Sequence, residues 1–99
     1  MSEDIYETTR RLGIAIVEQR WPLVTAGEWD AAAREIRVNL TAAECAGGLD
    51  KEFVKRAIVA HELCHAQGGD EAAAGEFVGE LLEDKELPAR LTELWRKSF

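Results

Sequence analysis

The sequence predicts an α+β fold in which a small three-stranded sheet packs with four helices. The clearest strand signal is Arg34–Leu40, where polar and apolar residues alternate over seven positions. The segment that begins at Asp50 is longer than a typical strand and is apolar around nearly its whole circumference, as in a buried helix. Apolar residues at helical spacing predict further helices at the N-terminus and after this segment.

The N-terminal segment predicts one helix followed by one strand. Ser2 can cap a helix that carries Ile5 on its apolar side and ends near Gly13. Ile14–Val17 is rich in β-branched side chains, which favour extended backbone, and therefore predicts a first strand. A helix that continues through to Gln19 is the competing interpretation.

Two more strands are predicted before the long central helix. Leu23–Trp29 predicts the second strand, Asp30–Ala33 a loop, and Arg34–Leu40 the third strand. We expect antiparallel pairing across this loop, because a short connection brings consecutive strands side by side. Thr41–Leu49 contains two adjacent glycines and predicts a connection, in which Thr41–Glu44 can form a turn of helix.

Three helices are predicted in the second half of the chain. The first spans Asp50–Gln67, where the aspartate can serve as cap, and it ends at Gly68 and Gly69. The second spans Asp70–Asp84, and Pro88 starts the third. The last helix carries an apolar stripe that we interpret as core packing: Leu87, Leu91, Leu94 and Trp95.

The helix predicted over Asp50–Gln67 contains both histidines of the chain, in the pattern HExxH. Residues four apart lie on one helical face, so His61 and His65 can direct their imidazoles at one point, with Glu62 beside them. Two neutral imidazoles suit a zinc ion, and the carboxylate can act as a general base. The alternative is a pair of core histidines satisfied by hydrogen bonds. In apolar surroundings, however, an unpartnered Glu62 would be costly to bury.

A third ligand must come from another part of the chain, because catalytic zinc normally has three protein ligands and no third histidine exists. The carboxylates of the helix after the motif are the candidates, and helical periodicity ranks them. Glu71 lies close to the apolar face and is favoured. Glu76, Glu80 and Glu83 point to the solvated side. Asp70 is also close to the apolar face, but its position directly after two glycines suits a helix cap.

Length and charge restrict the possible partners. The chain has 99 residues, which predicts one domain over residues 1–99, and a net charge of −7 at pH 7. This charge argues against nucleic acid or an anionic membrane as a direct partner, whereas it attracts a basic protein. The acidic start Met1–Asp4 is unlike a signal peptide, and no apolar run approaches a membrane span. We therefore expect a cytoplasmic protein in which Cys45 and Cys64 are free thiols.

Six short segments occur in a characteristic order: Leu12–Ile14, Ala26–Asp30, Ile36–Asn39, Ala60–His65, Glu71–Ala74 and Phe77–Leu82. In this order they resemble the ImmA/IrrE family of small, gluzincin-type zinc metallopeptidases, and the resemblance implies a minimal zincin-like fold. The HExxH motif is its specific part, and the flanking matches gain weight from their order. A second similarity, to SprT-like zinc proteins, rests on His61–Ala66 and Ile36–Asn39. Those proteins use a later histidine that this chain lacks.

The resemblance to the ImmA/IrrE family implies a zinc-dependent endopeptidase. It would hydrolyse a peptide bond of an intracellular protein, which in that family is often a DNA-binding repressor. His61 and His65 match the zinc ligands of the family, and Glu62 matches its general base. Glu71 matches the third ligand. The implied cofactor is therefore Zn²⁺, and the implied partner is a protein or peptide substrate.

Two alternatives to a constitutively active enzyme remain open. The first is a non-catalytic protein-binding module whose metal site is structural or vestigial. The second is a self-inhibited proenzyme in which Cys45 or the segment Pro88–Phe99 occupies the open position of the metal. Replacement of Glu62 separates the first alternative from an enzyme, because only an enzyme would lose an activity while it retains the metal.

Overall fold

The computed structural model describes residues 4–22 and 25–96. This part of the chain is a mixed α+β structure with five helices and one three-stranded sheet, which confirms the expected fold class. None of these helices combines the length and the apolar character that crossing a membrane requires. The first half contains α1 (Ile5–Arg11), β1 (Ala15–Gln19), β2 (Gly27–Asp30), β3 (Glu35–Asn39) and the short helix α2 (Leu40–Glu44). The second half contains α3 (Lys51–Ala66), α4 (Glu71–Leu81) and α5 (Leu87–Arg96).

Local hydrogen bonds define both ends of α1. Asp4 caps the helix, because its Oδ1 accepts a hydrogen bond from the backbone N–H of Tyr6 at 2.9 Å. Ser2, the predicted cap, lies outside the described residues. At the other end Gly13 takes a φ of +73°, and the backbone hydrogen bonds around it form a Schellman turn. The helix therefore stops close to the predicted glycine and leads into β1.

The sheet has the strand order β1-β3-β2. β2 and β3 are antiparallel, as predicted, whereas β1 runs parallel to β3 with Ile16 beside Ile36. Since β1 extends to Gln19, the competing helical interpretation of this segment is wrong. β2 spans Gly27–Asp30. The predicted strand bounds are therefore wrong at Thr25 and Ala26, which precede the strand, and at Asp30, which ends it, and the predicted start at Leu23 lies outside the described residues.

Helix α3 packs against one face of the sheet and forms the centre of the core. On β3, Ile36 and Val38 are fully buried on this face. Arg37 points to the other face, where it pairs with Asp30 and Glu35. Helices α1, α2 and α4 pack against the other sides of α3, which explains why this helix is apolar around nearly its whole circumference. The buried apolar residues of α3 are Val54, Ala57, Ile58, Val59, Ala60 and Leu63.

Helix α4 packs against α3 and is shorter than the sequence predicted. Asp70 caps it, as expected, because its Oδ1 accepts a hydrogen bond from the backbone N–H of Ala73 at 2.8 Å. The helix ends at Leu81 and does not reach Asp84. Glu83 takes a left-handed φ of +56°, which ends the helical conformation before the predicted boundary.

Helix α5 belongs to the core of the described structure. Leu87 is 0% exposed and Leu91 is 4% exposed. Trp95 donates a hydrogen bond from Nε1 to the carbonyl of Ala42 at 2.8 Å, which ties α5 to α2. The interpretation of the C-terminal stripe as core packing is therefore confirmed for these residues.

We expect Leu87→Ala to lower the free energy of unfolding by about 2–5 kcal/mol, because truncation of a fully buried leucine leaves a cavity. Urea denaturation followed by circular dichroism measures this loss. Leu82→Ala is a matched control, since Leu82 is only half-buried and its truncation should cost less. Equal stability of the wild type and Leu87→Ala would contradict the placement of α5 in the core.

Candidate metal centre

Two imidazoles meet on one face of α3. The Nε2 atoms of His61 and His65 are 3.1 Å apart, and their ring centroids are 4.7 Å apart in an edge-to-face arrangement. A spacing of four residues produces this geometry, because it places side chains one above the other on consecutive helical turns. The side chains are 31% and 24% exposed, so the pair can be reached from solvent.

A carboxylate from the first turn of α4 joins the two imidazoles. Oε1 of Glu71 lies 2.8 Å from Nε2 of His65, and its Oε2 lies 3.4 Å from Nε2 of His61. The chain reverses between the two helices at Gly68, which takes a φ of +91°. Within the described residues, no other cluster of three or more His, Cys, Asp or Glu side chains could hold a metal ion.

The remaining acidic candidates on α4 and at its ends lie apart from the histidines. Asp70 is engaged as the cap of α4. Glu76, Glu80 and Glu83 are exposed. None of these four belongs to the cluster that could hold a metal ion in the described part of the chain. The structure thus brings Glu71 to the two imidazoles and leaves the other carboxylates at a distance.

The donor atoms of His61, His65 and Glu71 lie close enough to share one ion, within 4.8 Å of one another. Ligand atoms bound at about 2.0–2.1 Å from a tetrahedral zinc ion lie about 3.3 Å from one another. The two Nε2 atoms are 3.1 Å apart, and different oxygens of Glu71 lie 2.8 Å from His65 and 3.4 Å from His61, so small side-chain adjustments would place one oxygen at this distance from both. Two imidazoles and one carboxylate also leave a fourth position open, as zinc sites that catalyse reactions require.

Glu62 is almost enclosed beside the two histidines. It is 8% exposed, and burial raises its pKa to about 7, because desolvation penalises the charged form.

A Cβ added at Gly27 would lie 3.2 Å from Cγ of Glu62, so the backbone of β2 touches α3 at this point. A glycine in the strand permits this close approach.

The two histidines differ in their electrostatic surroundings. Burial lowers the pKa of His61, which favours the neutral imidazole that metal ligation requires. The pKa of His65 is raised, chiefly by its hydrogen bond to the carbonyl of Gly69, and Glu62 and Glu71 act in the same direction. Proton release from His65 would therefore accompany metal binding.

A cleft of about 640 Å³ opens beside Glu62 and is bounded by α3, α4, α5 and the start of β2. This volume lies in the range of about 300–1,000 Å³ that is typical of ligand sites. His61, Glu62 and Glu71 line the cleft, and within the described chain no Lys or Arg does. Its apolar wall is formed by Ala57, Ile58, Val78, Pro88, Leu91 and Trp95.

Two elements that line the cleft, β2 and α5, were not predicted from the sequence as parts of the site. A glycine inside a strand pattern is a signal of close backbone approach, so Gly27 could have indicated the contact between β2 and α3. The wall formed by α5 has no comparable signal, because its apolar stripe is also that of an ordinary core helix. Cys45 is not among the lining residues of the described cleft. Cys45 and Cys64 are both free, as expected.

Comparisons of the chain with models of protein families, with curated proteins and with solved structures find no match. The similarity to the ImmA/IrrE family therefore remains a prediction that rests on the motif and on the order of the segments. The chemistry of the site is inferred from its donor atoms, its burial and its cleft.

We expect the purified, untagged protein to bind one equivalent of zinc. His61→Ala and Glu71→Ala should each weaken zinc binding by at least about 100-fold, because even residues that only support metal ligands contribute about 10–100-fold. Competition with a chromogenic chelator measures the affinity. Glu76→Ala is the matched control, since this exposed carboxylate lies on the same helix and should be dispensable. An unchanged zinc affinity of the Glu71→Ala variant would exclude Glu71 as the third ligand.

Proposed function

We propose that the chain is a zinc-dependent endopeptidase with a minimal zincin-like fold, similar to the ImmA/IrrE metallopeptidases, that cleaves an intracellular protein. The observation that carries the proposal is the convergence of His61, His65 and Glu71 beside the nearly buried Glu62. Core histidines alone would not account for an acid drawn in from a second helix, nor for an open cleft at their side.

The residues of the site supply the groups that peptide hydrolysis needs. Zinc held by His61, His65 and Glu71 would lower the pKa of a water molecule towards about 7 and polarise the peptide carbonyl. Glu62 would accept the proton of the attacking water and return it to the leaving amine. Burial raises the pKa of Glu62 in the ion-free protein, and a zinc ion beside it would lower that pKa again and favour the carboxylate that a general base requires.

The edge of the sheet supports a binding mode for the substrate backbone. β2 is the edge strand next to the site and pairs only with β3 in the described part of the chain. An extended peptide can add to such an edge through backbone hydrogen bonds. Gly27 lies at the start of β2 and touches Glu62, so a peptide on this edge would pass close to the motif.

The cleft supports a preference among substrate side chains. Its apolar wall would hold an uncharged side chain next to the scissile bond. Glu62, Glu71 and Glu93 line the same cleft, and no Lys or Arg lines it in the described structure. Acidic substrate residues would therefore be disfavoured, in line with the net charge of −7 for the whole chain.

Glu62→Gln should lower kcat by about 10²–10⁴-fold, because the amide cannot accept the proton of the attacking water. Cleavage of a fluorescently labelled, unfolded protein measures the rate, and zinc content should stay that of the wild type. Glu80→Gln makes the same substitution at an exposed carboxylate on α4 and serves as the control. Wild-type rates in Glu62→Gln would reject the mechanism. A wild type that binds zinc and cleaves nothing would favour the non-catalytic module.

Opposite charges at Thr92 should change substrate preference in opposite directions. Thr92 is exposed and lines the cleft on α5. Thr92→Lys should raise kcat/KM for peptides with acidic residues by about 2–5-fold, the effect of a screened surface pair, and Thr92→Glu should lower it. The test is to measure kcat/KM of both variants on a library of peptides that differ only in charge. Identical preferences in the two variants would show that substrates do not enter this cleft.

A further inference from the structure

The turn that ends α3 places a backbone carbonyl against one of the metal-binding imidazoles. The N–H of Gly68 donates to the carbonyl of His65, and the N–H of Gly69 donates to the carbonyl of Cys64, both at 2.9 Å. With Gly68 at a φ of +91°, these two hydrogen bonds form a Schellman turn. The turn folds the chain back over the last helical turn and brings the carbonyl of Gly69 to His65.

The carbonyl of Gly69 is a hydrogen-bond acceptor for one ring nitrogen of His65. It lies 2.8 Å from Nδ1 of the imidazole. A carbonyl oxygen can only accept, so Nδ1 donates and must be protonated. Nε2 faces His61 and Glu71, and without an ion it can donate to Oε1 of Glu71. A bound ion would replace that proton and take the lone pair of Nε2. Hydrogen bonds of this kind orient metal-binding histidines and increase their basicity.

Contact with Cys64 restricts the residue that can stand at position 69. A Cβ added at Gly69 would lie well inside contact distance of Sγ of Cys64 and 3.1 Å from the Cys64 carbonyl oxygen. Gly69 does not share the left-handed backbone of Gly68. A larger residue at position 69 is therefore disfavoured by lack of space, mainly because of the sulfur atom of Cys64. Backbone strain is not the reason.

We propose that Gly69 is a positioning residue for the metal centre: its Cα packs against Cys64, and its carbonyl holds His65 with Nε2 directed at the ion. This inference rests on the proposed zinc site. A side chain at position 69 would push the turn away from α3 and lengthen the hydrogen bond to Nδ1. His65 would then lose its fixed orientation, while the buried core of α3 would stay in place.

Zinc affinity of Gly69→Ala tests the inference. We expect binding about 10–100-fold weaker than wild type, the range found when a partner of a metal-binding histidine is lost. Gly48→Ala is the matched control and should bind like the wild type, because a Cβ there meets no atom within 4 Å. The double variant Cys64→Ala/Gly69→Ala should bind more tightly than Gly69→Ala, because it removes the sulfur that a Cβ would meet.

The possible outcomes separate this inference from the proposed function. No zinc binding by the wild type would overturn both. Wild-type affinity in Gly69→Ala would overturn the positioning role alone. Equal affinity in the single and double variants would show that Cys64 does not hold the turn and would overturn the inference as stated.

A spectroscopic measurement on the wild type keeps the inference testable even if Gly69→Ala does not fold. Nitrogen-15 NMR of the zinc-loaded protein reports which nitrogen of each histidine carries a proton and which one binds the ion. We expect His65 to carry its proton on Nδ1, against the preference of free histidine for Nε2. A proton on Nε2 would show that the carbonyl of Gly69 does not orient the ring and would overturn the inference.

Discussion

Glu71 lies beside the histidines because the chain reverses within Gln67–Asp70. This reversal is the constraint on which the candidate centre depends, since two of its donor residues lie on α3 and the third lies on α4. Ala74, one turn beyond Glu71, is fully buried, so a small side chain occupies a position where a large one would separate the helices. A metal ion that binds these donors would therefore also fasten the two helices to each other.

The sequence indicated the features that depend on neighbouring residues. The alternation along β3, the caps of α3 and α4, and the position of Glu71 relative to the apolar face all follow from contacts within one or two turns or within one strand. The parallel pairing of β1 with β3 is different, because it joins segments separated by β2. No local pattern encodes such a crossover.

The boundary of α4 and the cleft show a second limit of sequence reasoning. Glutamate is a good helix former, so nothing in the sequence indicates that Glu83 takes a left-handed conformation. At this turn Lys85 lies against Gly79: a Cβ added at Gly79 would be only 3.1 Å from Cα of Lys85. The role of α5 as a cleft wall likewise depends on where tertiary packing places it.

Charged side chains are distributed unevenly over the two sides of the sheet. On the outer face Arg37 pairs with Glu28, Asp30 and Glu35. The cleft on the other side contains glutamates and, among the described residues, no Lys or Arg. A divalent cation would supply the positive charge that the protein itself does not place in this cleft.

The side chain of Glu71 is 81% exposed, far more than those of the two imidazoles. A carboxylate in that position can rotate away into water without disturbing the core, because rotamer changes of surface side chains occur within nanoseconds. A bound ion would remove this freedom, so loading with zinc would order Glu71 and the first turn of α4.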